Sequence, residues 1–250
     1  MNRSRATLAV VCILAIGAAT PIRPELLAGL QWRNIGPFRA GRVAAVAGAI
    51  GEPGLFYMGL PAGGVWKTTS AGETWYPVFD TIKDVSSIGA VEVAPSNPNI
   101  VFVGTGDMVT GGVINEGNGV YKSVDGGTTW KHMGLDATKQ IPSMLIDPRN
   151  PDIVLVAAQG DIHVKSDSRG VYRSADGGVT WTKTLYVNDS TGIQKLAIAY
   201  DRPDVVFATT VLHYTPPPPA SGAGGGGRGS VAAGATSTLL YKSIDGGNTW

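Results

Sequence analysis

Three carboxylates recur in one setting. Asp125, Asp176 and Asp245 sit in the strings KSVDGGTTW (Lys122–Trp130), RSADGGVTW (Arg173–Trp181) and KSIDGGNTW (Lys242–Trp250). A fourth string, KTTSAGETW (Lys67–Trp75), carries Ser70 in the Asp place. Spaced carboxylates suggest acid–base catalysis or calcium binding. Recurrence argues for a turn instead, because a chemical site is needed once and a structural turn once per unit. Asp at the start of a tight turn accepts hydrogen bonds from the N–H groups just ahead. The paired glycines permit positive φ. The serines bond locally to the same turn, and each Trp offers a large face to bury between neighbouring sheets. The expected structural set is Ser123, Asp125, Gly127, Trp130, Ser174, Asp176, Gly178, Trp181, Ser243, Asp245, Gly247 and Trp250.

The remaining candidates lie in variable stretches. Thr105–Asn118 carries Asp107, Asn115, Glu116 and Asn118, and Ala158–Arg169 carries Asp161, His163, Lys165, Asp167 and Arg169. Acid–base chemistry can use a pair of carboxyls, and Asp107 with Glu116 is a loose pair of that kind. His132, His163 and His213 show no paired-His metal spacing, no HExxH and no Ser-His-Asp order. Gly224–Gly227 is not followed by the Lys-Ser/Thr of a phosphate loop. The only cysteine is Cys12. No metal or cofactor is expected, and no catalytic residue is assigned.

Elements that position these residues follow from a second repeat, out of phase with the first. VEVAPSNPNIVFVGTGD (Val91–Asp107), MLIDPRNPDIVLVAAQG (Met144–Gly160) and LAIAYDRPDVVFATTVL (Leu196–Leu212) are copies, with a looser one in Val46–Gly59. Pro53, Pro98, Pro151 and Pro203 are 45, 53 and 52 residues apart, and a period near 50 marks a repeat architecture. Each unit reads as a short apolar strand, a Pro/Asn/Asp turn, a β-branched strand, a variable loop, a short strand, the box, and a strand beginning at its Trp. Four short strands per unit predict an all-β fold, a β-propeller of four-stranded blades with the boxes as turns. A parallel β-helix is the runner-up. The blades are expected at 31–80, 81–135, 136–188 and 189–250, with the fourth lacking its outer strand and the whole a fragment of a larger propeller. Asp176 to Asp245 spans 69 residues against 51 from Asp125 to Asp176. The excess falls in a loop at 213–238 with runs of four Pro and four Gly, too poor in apolar surface to order itself.

Composition agrees. Gly is 35 of 250 residues and only 16% are charged, which points away from helical bundles, while 43% hydrophobic residues suffice for a core. A formal charge of +1 leaves no footprint for nucleic acid. Arg3 and Arg5 precede the apolar run Ala6–Ala19, which is short of the ~20 residues of a spanning helix. Residues 1–19 read as a secretory signal peptide, followed by a leader at 20–30. The expected location is secreted, periplasmic or cell-envelope, with no membrane span after cleavage.

The S-x-D-x-G-x-T-W box resembles the Asp-box, or BNR repeat, of sialidases, xyloglucanases and sortilin (VPS10) propellers. WRNIGPFRAGRVAAVAG (Trp32–Gly48), with GGVWKTTSAGETW (Gly63–Trp75), resembles bacterial exported sortilin-N-terminal-like BNR proteins, often labelled glycosyl hydrolases. The resemblance covers about Gln31 to Trp250. It implies that the box lies between strands three and four of a blade. Turns between strands one and two then share its face, and loops between strands two and three emerge on the other. Binding usually resides in such loops, so the expected contacts are Asp107, Asn115, Glu116, Asn118, Asp161, His163, Lys165 and Arg169. A sialidase's Phe-Arg-Ile-Pro is absent, the nearest string being Phe38-Arg39-Ala40-Gly41. Where a xyloglucanase carries a catalytic Asp before Gly-Gly, this chain has Leu60-Pro61-Ala62-Gly63-Gly64, with Pro61 in the Asp place. The expected function is a module that binds a protein or carbohydrate ligand. The alternative is the N-terminal part of a sialidase- or xyloglucanase-like hydrolase, and a third reading is an assembly factor resembling the photosystem-stability propellers.

Overall fold

The computed structural model describes residues 42–107, 115–212 and 238–250. The expected signal segment, the leader, residues 31–41 of the first blade, the middle of the loop after Asp107 and nearly all of the Pro/Gly loop lie outside the described residues.

Among the described residues, four antiparallel sheets follow one another, each a simple meander. The first holds β1 (Ala45–Gly48), β2 (Phe56–Leu60), β3 (Gly64–Thr68) and β4 (Tyr76–Pro77). The second holds β5 (Ile88–Ala94), β6 (Asn97–Thr105), β7 (Val120–Ser123) and β8 (Lys131–His132). The third holds β9 (Ser143–Asp147), β10 (Asn150–Ala158), β11 (Gly170–Ser174) and β12 (Thr182–Leu185). The fourth holds β13 (Thr191–Ala199), β14 (Arg202–Leu212) and β15 (Leu240–Ser243). The first strands β1, β5, β9 and β13 neighbour one another in turn. Meanders side by side with their first strands innermost are the blades of a β-propeller.

The burial pattern follows from this layering. Val101, Phe102 and Val103 are consecutive and all buried, as are Val154 to Ala158. A strand covered on both faces carries a continuous apolar run rather than an alternating one. Three apolar clusters fill the spaces between successive blades. β14 holds the same position in the fourth blade yet alternates, with Val206, Ala208 and Thr210 buried and Phe207, Thr209 and Val211 half-buried. One of its faces is covered by the third blade and the other by no sheet among the described residues. The fourth strands β4 and β8 are short and exposed because they are outermost, and β12 starts exposed but ends on the buried Leu185. Pro77 is tolerated there because an edge strand needs no second ladder donor.

Close packing between blades also needs small residues. A Cβ on Gly59 would lie 2.4 Å from the Ile88 side chain, and one on Gly104 would lie 2.3 Å from Ile141. These glycines hold corresponding places in β2 and β6, so each admits the isoleucine leading into the next blade.

Candidate functional site

The two ends of the blades carry different chemistry. At one end lie the boxes. Ser174 Oγ accepts from Gly178 N at 2.8 Å and donates to Asp176 Oδ1 at 2.7 Å. Asp176 accepts from Thr180 N at 2.9 Å and from the Thr180 hydroxyl at 2.6 Å. The turns of Ser123, Asp125 and Thr129 and of Ser243, Asp245 and Thr249 repeat this arrangement. Gly177 and Gly178 hold φ of 70° and 91°, the left-handed region that favours glycine. The threonine hydroxyl, then its N–H and the serine hydroxyl, hold Asp125 and Asp176 down at about 2 and Asp245 lower still. The carboxylates are exposed and the serines are 1% exposed. Serine, not aspartate, is therefore the buried member of each turn.

The boxes also join blades. Trp130 Nε1 donates to Val78 O at 2.7 Å, Trp181 Nε1 to Met133 O at 2.8 Å, and Trp250 Nε1 to Thr184 Oγ1 at 3.2 Å. Each acceptor belongs to the preceding blade. The basic residue opening each of the first three strings along the chain reaches forward: Lys67 Nζ donates to Gly126 O, Lys122 Nζ to Gly177 O and Arg173 Nε to Gly246 O. The turns between first and second strands share this end, because Gly126 N, Gly177 N and Gly246 N donate to Asn99 O, Asp152 O and Asp204 O.

The opposite end carries the variable loops. Glu116 is exposed, and its carboxylate holds Lys139 Nζ at 2.7 Å. That hydrogen bond, before any other influence, raises the lysine. Lys139 itself sits at φ 56°, a sparsely populated region for a side-chain-bearing residue. Asn115 Nδ2 donates to Pro61 O at 3.4 Å, joining the loops of the first two blades. Lys165 pairs with Asp189 at 3.1 Å. The Ser190 hydroxyl, then Lys165, pulls the Asp189 carboxyl below its usual range. His163 is exposed, and its N–H donates to Asp161 Oδ1 at 2.9 Å. Five expected contacts, Asn115, Glu116, Asp161, His163 and Lys165, thus lie on the outer side of this end.

Of the other three, Asp107 and Arg169 lie inside and Asn118 is half-buried. Asp107 is 1% exposed, and its N–H donates to Asn115 O. It and Glu116 are not presented to one surface, which corrects the loose acid pair. Asn118 donates to the Tyr121 hydroxyl at 2.9 Å, and its N–H meets Thr105 Oγ1. Arg169 is fully buried. Its guanidinium donates to Asp189 O at 2.8 Å, Asp161 O at 2.6 Å, Val164 O at 2.8 Å and also Gln159 O. A guanidinium spread over four carbonyls sets a loop's shape and has no outer face. Burial pulls it below its usual range, partly offset by Asp161 and Asp189.

Sequence reasoning missed Lys139 and Asp189. Both sit in connections from a fourth strand to the next first strand. In a meander those connections end on the same side as the second-to-third loops, so strand order alone could have found them. Among the described residues no cluster of three or more His, Cys, Asp and Glu is placed to hold a metal, and no helix is long and apolar enough to cross a membrane.

A β-propeller with structural box turns at one end and paired charges at the other is the class of protein defined here. No family model matches the chain. It is similar to a xyloglucanase of a Paenibacillus species, 26% identical over 212 residues, covering 80% of this chain and 20% of that protein. It is also similar to the xyloglucanase Xgh74A of Acetivibrio thermocellus, 26% identical over 212 residues, 80% of this chain and 24% of that one. This chain spans about a fifth to a quarter of the length of the curated relatives it matches. Among solved structures, an ancestral GH74 enzyme matches with a TM-score of 0.62 at 21% identity, over 89% of this chain and 25% of that one. The GH74 xyloglucanase of Xanthomonas campestris matches with 0.62 at 18%, over 88% and 31%. These likenesses confirm the fold.

Proposed function

We propose that this chain is part of an exported, glycoside-hydrolase-related β-propeller whose loop end binds polysaccharide. One observation carries the reading. Glu116–Lys139 and Lys165–Asp189 set exposed, oriented charged groups across two blades, and their carboxylate acceptors and ammonium donors suit the hydroxyls of a sugar. The similarity to xyloglucanases over most of the chain supports a β-glucan such as xyloglucan as the ligand. In this reading the described residues bind and do not cleave. Pro61 stands where the resemblance to xyloglucanases calls for an acid, and it is buried with its carbonyl engaged by Asn115. Export through residues 1–19 belongs to the same proposal, as does the likeness of Trp32–Gly48 to exported sortilin-N-terminal-like proteins.

Calorimetric titration of the chain with soluble xyloglucan tests it. Binding should be saturable, weaken on the order of tenfold in the double variant Glu116→Gln, Lys165→Ala, and proceed without release of reducing ends. A parent that does not bind, or a double variant that binds equally well, overturns the reading. Hydrolysis by the chain, lost on Glu116→Gln, would promote the enzyme alternative.

A further inference from the structure

The chain enters its second, third and fourth blades through stretches that correspond in register: Ser86-Ser87-Ile88, Lys139-Gln140-Ile141 and Thr191-Gly192-Ile193. Gly106 N donates to Ser87 O and Gln159 N to Gln140 O, the same bond in two blades. Neither Ser86 nor Thr191 has a positive φ, so a blade does not need one at this place. Lys139 does, with φ 56° and ψ −52°. Gln140 N donates to Thr138 O at 2.5 Å. Lys139 is thus the centre of a γ-turn of the rare, strained, positive-φ kind.

The surroundings hold that strain in place. Thr138 is buried, and its N–H and hydroxyl both donate to Leu135 O. Lys139 O accepts from Gly117 N at 2.7 Å, and Ile141 N donates to Thr105 O at 3.1 Å. None of these bonds uses the lysine side chain. Glycine would make the same ones with less strain. Stability does not call for a lysine either, because its ammonium meets only the exposed Glu116, and a pair so open to water adds little. Strain that the fold does not require points to function. Among the described residues Lys139 Nζ makes that one hydrogen bond, which leaves two of its three donors unspent.

We infer that Lys139 is the ligand-contacting cation of the loop end, and that the fold carries the strained turn in order to present it. Its carbonyl is fixed by Gly117 N and its ammonium by Glu116, two consecutive residues of the neighbouring loop. The unspent N–H groups therefore stand beside a carboxylate acceptor. A donor and an acceptor side by side match two neighbouring hydroxyls of a neutral sugar. The inference deepens the glycan-binding reading above and rests on it.

Two variants separate backbone strain from side-chain contact. Lys139→Ala removes the ammonium and keeps the strain, whereas Lys139→Gly removes both. Each is melted, and titrated with soluble xyloglucan beside the parent and the Glu116→Gln, Lys165→Ala variant. Lys139→Gly should melt about 2–5 °C above Lys139→Ala, the reverse of the usual order for these two residues. Both should bind on the order of tenfold more weakly than the parent. A purely structural lysine would instead move melting and binding in the same direction. Lys139→Gly melting at or below Lys139→Ala overturns the inference. So do Lys139 variants that bind like the parent while the Glu116→Gln, Lys165→Ala variant binds weakly, and that result leaves the glycan-binding reading standing. A parent that does not bind overturns both.

Discussion

Replacing Ser174 by Ala asks which member of the box holds the turn. The Ser174 hydroxyl is 1% exposed and accepts from Gly178 N at 2.8 Å and Asp176 N at 3.2 Å while donating to Asp176 Oδ1 at 2.7 Å. Alanine leaves the Gly178 N–H buried without an acceptor, which costs about 1–3 kcal/mol. The same turn joins two blades through Lys122 to Gly177 O and Trp181 to Met133 O, so nothing nearby can move to compensate. For a domain of this size that cost lowers Tm by about 2–12 °C. Asp176→Ser should be far milder, because the first repeat already contains that arrangement. There Ser70 Oγ accepts from Thr74 N at 3.0 Å, and the fully buried Thr68 hydroxyl accepts from Gly72 N at 3.0 Å. Thermal melts of the parent and both variants, read by fluorescence, decide it. A Ser174→Ala variant melting within a degree of the parent, or an Asp176→Ser variant falling as far as Ser174→Ala, would refute the assignment of serine as the key buried group.

Other expectations concern titration and loop order. Asp125 and Asp176 are held down at about 2. Their ionised forms stabilise the fold above the unfolded value near 3.9. That contribution is lost as pH falls through about 4 to 2, so acid melts should drop there, and less so in Asp125→Ser, Asp176→Ser. Glu92 is pushed up to about 7 by burial, with Lys195 opposing. An acid raised in the fold favours folding when neutral, so its contribution declines as pH rises from about 4.5 to 7 and is flat above. A Glu92→Gln variant should lack that slope, and a parallel pH profile would contradict it. Arg169→Ala removes a guanidinium shared by four carbonyls. It should destabilise by roughly 2–4 kcal/mol and open 159–169 to proteolysis, whereas cleavage elsewhere with this loop intact would count against its organising role.

Periodicity by itself makes much of the architecture legible in the sequence. The 50-residue recurrence of Pro turns, β-branched runs and boxes specifies one meander per unit, because each sheet must bury both faces against neighbours built alike. The same recurrence marked the box serines, glycines and tryptophans as scaffold, since Lys67, Lys122 and Arg173 meet their acceptors only across a blade junction. Burial within the loops was another matter. Arg169 and His163 share one loop and look equally available in sequence, yet one is enclosed by four carbonyls and the other is exposed. Which side chain turns inward depends on where the chain passes a second time, at Asp189, and local sequence carries no record of that. Lys139 and Asp189 entered the site for the same reason, by spatial return rather than motif.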